Sequence, residues 1–301
     1  MLVKKMRMKA CVGTRARPFG YTGRPLLSIG EGRQRGFGTI PGGASGKNRT
    51  MNWSDDAIVL SARRHGESSA VVQLLTRAHG RHAGLVRGAS GRAQRGVLQP
   101  GNEVQAEWRA RLAEHLGAYR LDLAAARAAP LLDDPPALLG LSAACAMAEA
   151  ALPEREPHAP VYEGLRRLLD ALADGRTWPI DYVRWELDLL RDLGFGLDLT
   201  RCAATGATED LVYVSPRTGR AVSAAAGEPY RDRLLRLPAF LAGGRGGPPA
   251  NREANDVRDG LVLVGHFLEH HLFGVTGARL PAARVRLLGY FSKKATISGA
   301  I

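Results

Sequence analysis

Arginines are concentrated between residues 51 and 123 of this 301-residue chain, a stretch that contains no lysine. A guanidinium presents a planar fork of N–H donors that matches the oxygens of a phosphate. The predicted loop RGASGRAQRG also places glycines beside arginines, and glycine lets a backbone approach a phosphate closely. The stretch is therefore predicted to bind the phosphate backbone of a nucleic acid. The arginines assigned to this contact are Arg63, Arg64, Arg77, Arg81, Arg87, Arg92, Arg95, Arg109 and Arg111.

Aromatic side chains are few in the same stretch: Trp53, Trp108 and Tyr119. Proteins that bind single strands without sequence preference usually stack bases on aromatic rings. The scarcity of rings favours contact with phosphates, so binding is predicted to depend weakly on sequence and strongly on salt. Trp53 and Trp108 are better explained as core residues than as stacking surfaces. The alternative, that the arginines are ordinary solvated turn charges, stays open at this point.

The elements that must position these arginines are short runs of β-favouring residues separated by Gly- and Arg-rich turns. The runs are AIVLSA, SSAVVQLLT, HAGLVRG, NEVQAEWRA and GAYRLDL. Short strands in this number, within about 70 residues, favour a small closed barrel such as the oligonucleotide-binding fold (OB-fold). An OB-fold nucleic-acid-binding domain is predicted over residues 51–131.

Residues 132–290 have the apolar spacing of helices, so the fold class is α+β and multidomain. Residues 198–229 break this pattern and contain a predicted hairpin around Pro216 and Gly219, as in a small β knuckle. The prolines of 153–160 predict a linker, and 291–301 is expected to be a frayed tail. Helices are predicted at 137–152, 161–175, 179–196, 231–244 and 256–274.

Residues 1–50 are rich in Gly, Arg and Pro and lack hydrophobic periodicity, so they are predicted to be a disordered basic extension. The formal charge of the chain is +13, and this segment carries roughly +10 of it. Two interpretations are open: an arm that contacts nucleic acid, or a misassigned start with Met51 as the first residue. The remainder is only mildly basic, so its binding surface must be a local patch.

A zinc ribbon needs four soft ligands, usually as two closely spaced pairs. The knuckle has residues at such spacings, but of Cys202, Thr205, Ser223 and Ala226 only Cys202 is a zinc ligand. A zinc-ribbon-like knuckle that lacks its zinc ligands is therefore predicted, held together by apolar packing. The cysteines of the chain are too widely spaced for a disulfide framework, as is usual in a reducing cytosol.

No set of residues indicates catalysis or a cofactor. His266 and His270 are four residues apart, but Phe267 stands where a metalloprotease helix has its glutamate, so both are interpreted as surface histidines. The glycine clusters lack the Lys-Ser/Thr pair of a phosphate-binding loop, and GASG lacks the flanks of a nucleophile elbow. The chain is predicted to have no enzymatic activity, no cofactor, no metal and no membrane span.

Several segments resemble the RecO family of bacterial recombination and repair mediators, over about residues 51–288. The similarity begins with DDAIVLSARRHGESSAVVQLLTRAHGRHAGLVRGA and continues in VLQPGNEVQAEW. Its most specific part is LLRDLGFGLDLTRC followed by YVSPRTG. The resemblance implies an OB-fold, a helical domain and often a four-cysteine zinc knuckle, of which this chain would be a zinc-free branch.

The resemblance also implies an activity and partners. Such a protein would bind single- and double-stranded DNA, anneal complementary strands and, with RecR, help the recombinase RecA displace the single-strand-binding protein, SSB. It would act in the cytoplasm, in association with the nucleoid, and contact the acidic, apolar C-terminal tail of SSB. The expected receptor for that tail is an apolar groove with arginines on the helical domain. The arginines assigned to it are Arg166, Arg167, Arg184 and Arg191.

Two other functions fit parts of the pattern. An OB-fold protein that binds structured RNA, such as a ribosome-associated factor, would show a similar charge distribution. A metal-dependent nuclease that uses acids and His266 is less favoured, because the sequence lacks a compact carboxylate cluster. Competition between DNA and RNA of equal length tests the first alternative, and cleavage with magnesium or manganese tests the second.

Overall fold

The computed structural model describes residues 51–242 and 253–298. The predicted basic extension at 1–50 lies outside the described residues, as do the Gly- and Pro-rich segment at 243–252 and residues 299–301. None of the helices in the described part is long and apolar enough to span a membrane.

The N-terminal part is a small β-barrel with one short helix. The strands close in the order β1-β2-β3-β5-β4, with β3 and β5 parallel and the other pairs antiparallel. Well-buried and more accessible side chains alternate along β3 and β4, as the two-residue period of a strand requires. The OB-fold prediction is confirmed. The elements are β1 (Met51–His65), β2 (Ser69–Thr76), β3 (Gly80–Val86), α1 (Arg92–Val97), β4 (Glu103–Ala110) and β5 (Ala118–Ala125).

Apolar side chains of the barrel contribute to two cores. Val59, Val72 and Trp108 belong to the barrel's own core. Ile58 and Leu75 point the other way and join the core of the helical region. Successive side chains on a strand face opposite sides, so one strand serves both cores. A separation into domains at 51–131 and 132–290 stays a prediction, because the two parts meet through this shared packing.

Three helices follow, and local sequence signals set their ends. At the start of α2, the Asp134 carboxylate accepts a hydrogen bond from the backbone N–H of Ala137 at 3.0 Å. Gly175, with φ of 79°, ends α3 in the left-handed conformation that glycine adopts readily. Pro179 lies in the first turn of α4, where its missing N–H costs no hydrogen bond. The helices are α2 (Pro135–Ala151), α3 (Ala159–Asp174) and α4 (Trp178–Asp192).

The knuckle is a three-stranded sheet in the order β7-β6-β8, so the predicted hairpin is confirmed. The helix predicted at 231–244 is wrong, because 3-10 turns at Glu228–Arg233 and Ala239–Leu241 flank a short strand there. Pro238 has no N–H for a helix, and the backbone of Leu237 instead donates to Val212. The elements are β6 (Leu211–Val214), β7 (Ala221–Ser223), α5 (Ala224–Gly227) and β8 (Leu235–Arg236).

The C-terminal part is helical to the end of the described chain. The predicted frayed tail at 291–301 is wrong over residues 291–298, which continue the last helix. Leu287, Phe291 and Ala295 recur at helical spacing and are all buried, and the ring of Phe291 lies 5.9 Å from that of Trp178. The elements are α6 (Glu253–Leu268), a π-helical turn (Glu269–Phe273), α7 (Gly274–Thr276) and α8 (Ala282–Ser298).

One ion pair lies inside the helical core. Arg284 of α8 and Glu186 of α4 have side chains 1% and 0% exposed, joined by hydrogen bonds of 3.1 and 2.9 Å. The Tyr182 hydroxyl donates to the same carboxylate, and Arg284 also donates to the carbonyl of Leu261 in α6. The pair therefore ties α4, α6 and α8 together at a place where losing one partner would leave a buried charge.

The predicted linker at 153–160 is fastened to the barrel at its start. Glu154 forms a β-bridge with Arg81 of β3, and the backbone N–H of Arg155 donates to the Arg81 carbonyl at 2.8 Å. Gly80 permits this approach, because a Cβ there would overlap the backbone of Glu156. Residues 153–157, which we call the strap, therefore hold the barrel against the helices instead of separating them.

Candidate nucleic-acid interface

The predicted loop RGASGRAQRG is partly helical, because Arg92 and Arg95 belong to α1. Both arginines are exposed, as is Arg87 just before the helix. Asn102 fixes the end of α1, since its buried side-chain amide donates to the carbonyl of Gly96 at 2.8 Å. The helix thus presents its arginines from a defined position.

A cleft of about 460 Å³ lies between α1 and the turn that joins β1 to β2. Arg64, near the end of β1, and Arg95 of α1 both line it. Small or apolar side chains such as Ala89 and Leu98 form much of the remaining wall. We call this the first cleft. It brings together two predicted phosphate-binding residues that are distant in the sequence.

A second cleft, of about 420 Å³, is lined by Arg87, by Gln94 of α1 and by Arg120 of β5. Arg120 is missing from the predicted set, which was drawn from residues beside turns. Strand alternation could have found it, because its neighbours Tyr119 and Leu121 are buried and Arg120 must face outward. The surface that contains both clefts is called the α1 face. Its arginines are Arg64, Arg87, Arg92, Arg95 and Arg120.

The guanidiniums of the α1 face have few acidic neighbours. Across residues 51–242 and 253–298, Arg64, Arg87, Arg92 and Arg95 have no ion pair within 4.0 Å. Arg120 lies 3.9 Å from Asp122 on the same strand, with its side chain 75% exposed. Guanidiniums left unneutralised on several elements create a local positive potential that attracts polyanions.

Two further exposed arginines of the barrel are Arg109, near the end of β4, and Arg111, in the loop between β4 and β5. Arg109 is 3.8 Å from Glu107 and remains 72% exposed. The loop is fixed from the strap: the guanidinium of Arg155 donates to the carbonyls of residues 113, 114 and 115 at 2.6, 3.3 and 3.0 Å. Arg155 itself has φ of 60°, an uncommon conformation for a residue with a side chain. No sequence pattern predicted these hydrogen bonds from Arg155, which we call the clamp.

The remaining predicted barrel arginines contact the helical region instead. Arg63 forms an ion pair of 2.8 Å with Glu149 of α2, and Arg77 one of 3.1 Å with Glu163 of α3. Arg81 is only 16% exposed and donates to the carbonyl of Leu152 at 2.8 Å. These three are not brought together with the α1 face, and Arg81 has a structural role where the barrel meets the strap.

The aromatic residues of the barrel are largely enclosed. Trp108 is 2% exposed, and its indole N–H donates to the carbonyl of Leu116 at 3.0 Å. Trp53 is half-buried, and the ring of His79 stacks on it at a centroid distance of 4.1 Å. The preference for core roles therefore agrees with the position of Trp108, while Trp53 lies at the boundary beneath His79.

Within the barrel, His82 is 3% exposed and its Nδ1 lies 2.9 Å from the hydroxyl of Tyr119. Burial, together with the nearby charge of Arg155, lowers the pKa of His82 to about 4. Burial raises the pKa of the Tyr119 phenol. Both groups are therefore neutral at physiological pH.

The predicted SSB-tail arginines occupy two different surfaces. Arg167 and Arg184 line a groove of about 330 Å³ between α3 and α4, together with Leu168 and Trp185. Arg184 also donates to the carbonyl of Phe240 and lies 5.8 Å from its ring. Arg166 lines another depression and pairs with Glu163, and Arg191 pairs with Asp188 at 2.6 Å. Only the first pair shares a groove.

The candidate metal ligands of the knuckle and of α6 form hydrogen bonds with nearby protein groups. Cys202 Sγ accepts from the backbone N–H and the hydroxyl of Ser223 at 3.3 and 3.4 Å. Burial raises the pKa of this thiol, but hydrogen bonds from Ser223 and Thr205 outweigh burial and lower it to about 6. His266 Nε2 lies 3.2 Å from the carbonyl of Pro216. Among the described residues, no group of three or more His, Cys, Asp or Glu side chains could hold a metal.

Both parts of this structure match models of one protein family. Residues 51–124 match the family model described as Recombination protein O N terminal, and residues 132–279 match Recombination protein O C terminal. Three relatives are each named DNA repair protein RecO. That of Rhodospirillum centenum is 56% identical over 83% of this chain and 98% of its own length. Those of Phenylobacterium zucineum and Rhodospirillum rubrum are 54% and 52% identical, over 81% and 79% of this chain and 98% and 95% of theirs.

The family models match the barrel with its arginine-bearing clefts and most of the helical region with its knuckle. The sequence matches cover nearly the whole length of each of these relatives. The chain therefore belongs to the RecO family of DNA repair proteins.

Proposed function

We propose that the chain is a recombination mediator that binds single- and double-stranded DNA through the α1 face and anneals complementary strands. The observation that carries this proposal is the set of exposed guanidiniums around α1, which come from β1, the β3–α1 turn, α1 and β5. Guanidiniums on several elements match the spaced phosphates of a nucleic acid better than a single small anion.

Annealing requires two polyanions to approach each other. Each strand loses condensed counterions when arginines replace them, so a positive surface offsets the repulsion between the strands. Arg109 of β4 and Arg111 of the fixed β4–β5 loop provide further positive charge outside the α1 face. This arrangement is suited to a role in the RecFOR pathway, in which the protein acts with RecR and helps load RecA on SSB-covered strands, in the cytoplasm and near the nucleoid.

The groove between α3 and α4 is the proposed receptor for the SSB tail. Asp181 and Asp188 line it too, but Arg184 and Arg191 lie 3.7 and 2.6 Å from them, which leaves Arg167 to meet an acidic peptide. The indole N–H of Trp185, in the wall of this groove, is buried and has no hydrogen-bond partner in the described part. The proposed tail contact in this groove is therefore Arg167, beside the wall formed by Leu168 and Trp185. Arg166, Arg184 and Arg191 of the predicted set each pair with a carboxylate of their own helix instead.

The test is annealing of two complementary strands precoated with the cognate SSB, with its tail intact or deleted. Acceleration that depends on the tail is expected. Acceleration on bare strands alone would indicate a DNA-binding protein that does not recognise SSB. No acceleration by folded protein on either substrate would contradict the mediator role.

The nucleic acid itself is tested by competition between DNA and RNA of equal length and sequence. DNA is expected to compete at least as well as RNA for the arginines of the α1 face. Preferred binding to structured RNA, with little binding to DNA, would favour an RNA-binding factor instead.

A further inference from the structure

The first cleft has a shape and lining that phosphate contact alone does not explain. It is bounded by the end of β1, the start of β2, the β3–α1 turn and the segment after α1. Its volume of about 460 Å³ lies within the range of about 300–1,000 Å³ that small-molecule sites occupy. A phosphate group needs only exposed guanidiniums, whereas this cleft also has walls of small and apolar side chains.

The inner wall of the first cleft is apolar, and its edge is charged. Ala70, Ala89 and Leu98 are less than 8% exposed and line the inside. Arg64 and Arg95 are exposed and line the same cleft. An apolar interior with guanidiniums at the edge is complementary to a ligand with one flat apolar part and adjacent negative charges.

Polar groups that could contact the edge of a base also line the cleft. The Gln99 side-chain N–H donates to the carbonyl of Arg95 at 3.1 Å, which leaves its amide oxygen as an acceptor. The Ser90 hydroxyl and the Glu67 carboxylate line the cleft as well. A carboxylate and an amide oxygen accept hydrogen bonds from the amino groups of cytosine, adenine and guanine.

We propose that the first cleft takes one unstacked nucleobase of a bound single strand, while Arg64 and Arg95 contact the phosphates on either side of it. This inference rests on the proposed function, because it specifies how the α1 face holds DNA. It also changes the expectation from the sequence: binding to a single strand should require bases and not charge alone. A single strand that is being annealed supplies unpaired bases that can enter the cleft. The bases of a duplex are paired and stacked, so they cannot.

The experiment compares a single-stranded oligonucleotide with a strand of equal length and charge that carries abasic sites throughout. Kd is measured by fluorescence anisotropy on the full-length protein. The abasic strand is expected to bind about tenfold more weakly, since burying roughly 60 Å² of apolar base surface corresponds to about that factor. Equal affinity of the two strands would overturn the pocket while leaving the proposed DNA-binding function intact. Failure of both strands to bind would remove that function instead.

Two variants test the place of the pocket. Ala62 is exposed on β1 and lines the first cleft, so Ala62→Phe fills the cleft without changing the charge. Ser90→Phe fills it from the β3–α1 turn and serves if the first variant unfolds. Each should reduce the affinity for the normal strand to that for the abasic strand and leave the abasic affinity unchanged.

Arg92→Ala is the matched control, because Arg92 lies on α1 but does not line the first cleft. This variant should weaken the binding of both strands by the same factor. If the filling variants bind both strands normally but lose affinity for RecR or for the SSB tail, the first cleft is a protein-binding site and the nucleobase assignment is wrong.

Discussion

The arginines of the α1 face and those where the barrel meets the helices have the same chemistry but different neighbours. Arg92 and Arg95 are exposed and have no carboxylate within 4.0 Å in the described part of the chain. Arg63 and Arg77 lie on the same barrel, yet each pairs with a glutamate of a helix. A paired arginine is already neutralised and joins two parts of the protein. An unpaired one is available to a polyanion, so we expect neighbours, and not residue type, to distinguish the proposed DNA-binding arginines from structural ones.

The largest effect is expected where an arginine is buried. Arg284→Met leaves Glu186 charged and without its partner inside the helical core. The free energy of unfolding should fall by about 3–5 kcal/mol, measured by urea denaturation. DNA affinity of the protein that remains folded should not change. The double variant Arg284→Met, Glu186→Leu should recover much of the loss, and a loss below about 1 kcal/mol in the single variant would contradict the structural role.

A second effect concerns the pH dependence of stability, which comes from the barrel interior. The arginines of both sets stay charged over this pH range, so they do not contribute to it. His82 has a pKa of about 4 in the fold, below the usual value of about 6.5 in unfolded chains. The unfolded state therefore binds more protons between these values. The contribution of neutral His82 to the free energy of unfolding is complete above pH 6.5. The free energy of unfolding should fall by about 1–3 kcal/mol as the pH drops to 4. Urea denaturation at pH 4.5, 5.5 and 7 measures this loss, and His82→Gln should flatten it. An unchanged pH profile in that variant would rule out His82 as the cause.

Removal of unpaired arginines should act on binding and not on stability. Arg92→Ala with Arg95→Ala should weaken DNA binding about tenfold or more and reduce the slope of log K against log salt for a single strand by about 1.4. Affinity is measured by anisotropy between 50 and 200 mM salt. Arg63→Ala with Arg77→Ala is the matched control, since it removes equal charge from paired positions of the same barrel. Equal slopes in the two double variants would remove the distinction between the two sets.

A variant of Arg155 tests whether a structural arginine can influence a loop of the proposed DNA-binding barrel. Arg155→Ala removes the bonds to the carbonyls of residues 113–115 and should speed amide hydrogen exchange in the β4–β5 loop, with a loss of affinity of about two- to fivefold. Arg155→Gly should be more stable than Arg155→Ala by about 1 kcal/mol, because φ is 60° at this position. Unaltered exchange in both variants would show that the clamp does not order the loop.

The smallest effect is expected on the exposed helix surface. Arg166 and Arg191 form ion pairs with carboxylates three residues before them on their own helices. Replacing both by Ala should leave the free energy of unfolding nearly unchanged, because solvent screens exposed ion pairs, and should leave the salt slope of DNA binding unchanged. Arg167→Ala should instead weaken binding of the SSB tail, measured with a labelled tail peptide. A lower salt slope in the double variant would extend the DNA-binding surface onto the helices.

Much of the fold follows from local patterns. Alternation of apolar residues predicted the strands of the barrel, and helix signals such as Asp134, Pro179 and Gly175 lie at helix ends in the structure. The hairpin of the knuckle was predicted for the same reason. The helix at 231–244 failed because Pro238 and a strand partner outweigh local propensity. The frayed tail failed because its short apolar stripe is ordered only by burial against other helices.

The order of residues alone predicted the arginine-rich stretch, the barrel and the family. Its repeated arginines and turns are local features, and local features can be read along the chain. Which arginines are unpaired depends on the folded chain, because Glu149 and Glu163 are far in sequence from Arg63 and Arg77. The folded chain likewise places Arg64 and Arg95 in one cleft, Arg87 and Arg120 in another, and the strap against β3. Neutralisation and enclosure depend on distances in space, and those are fixed only when the chain packs.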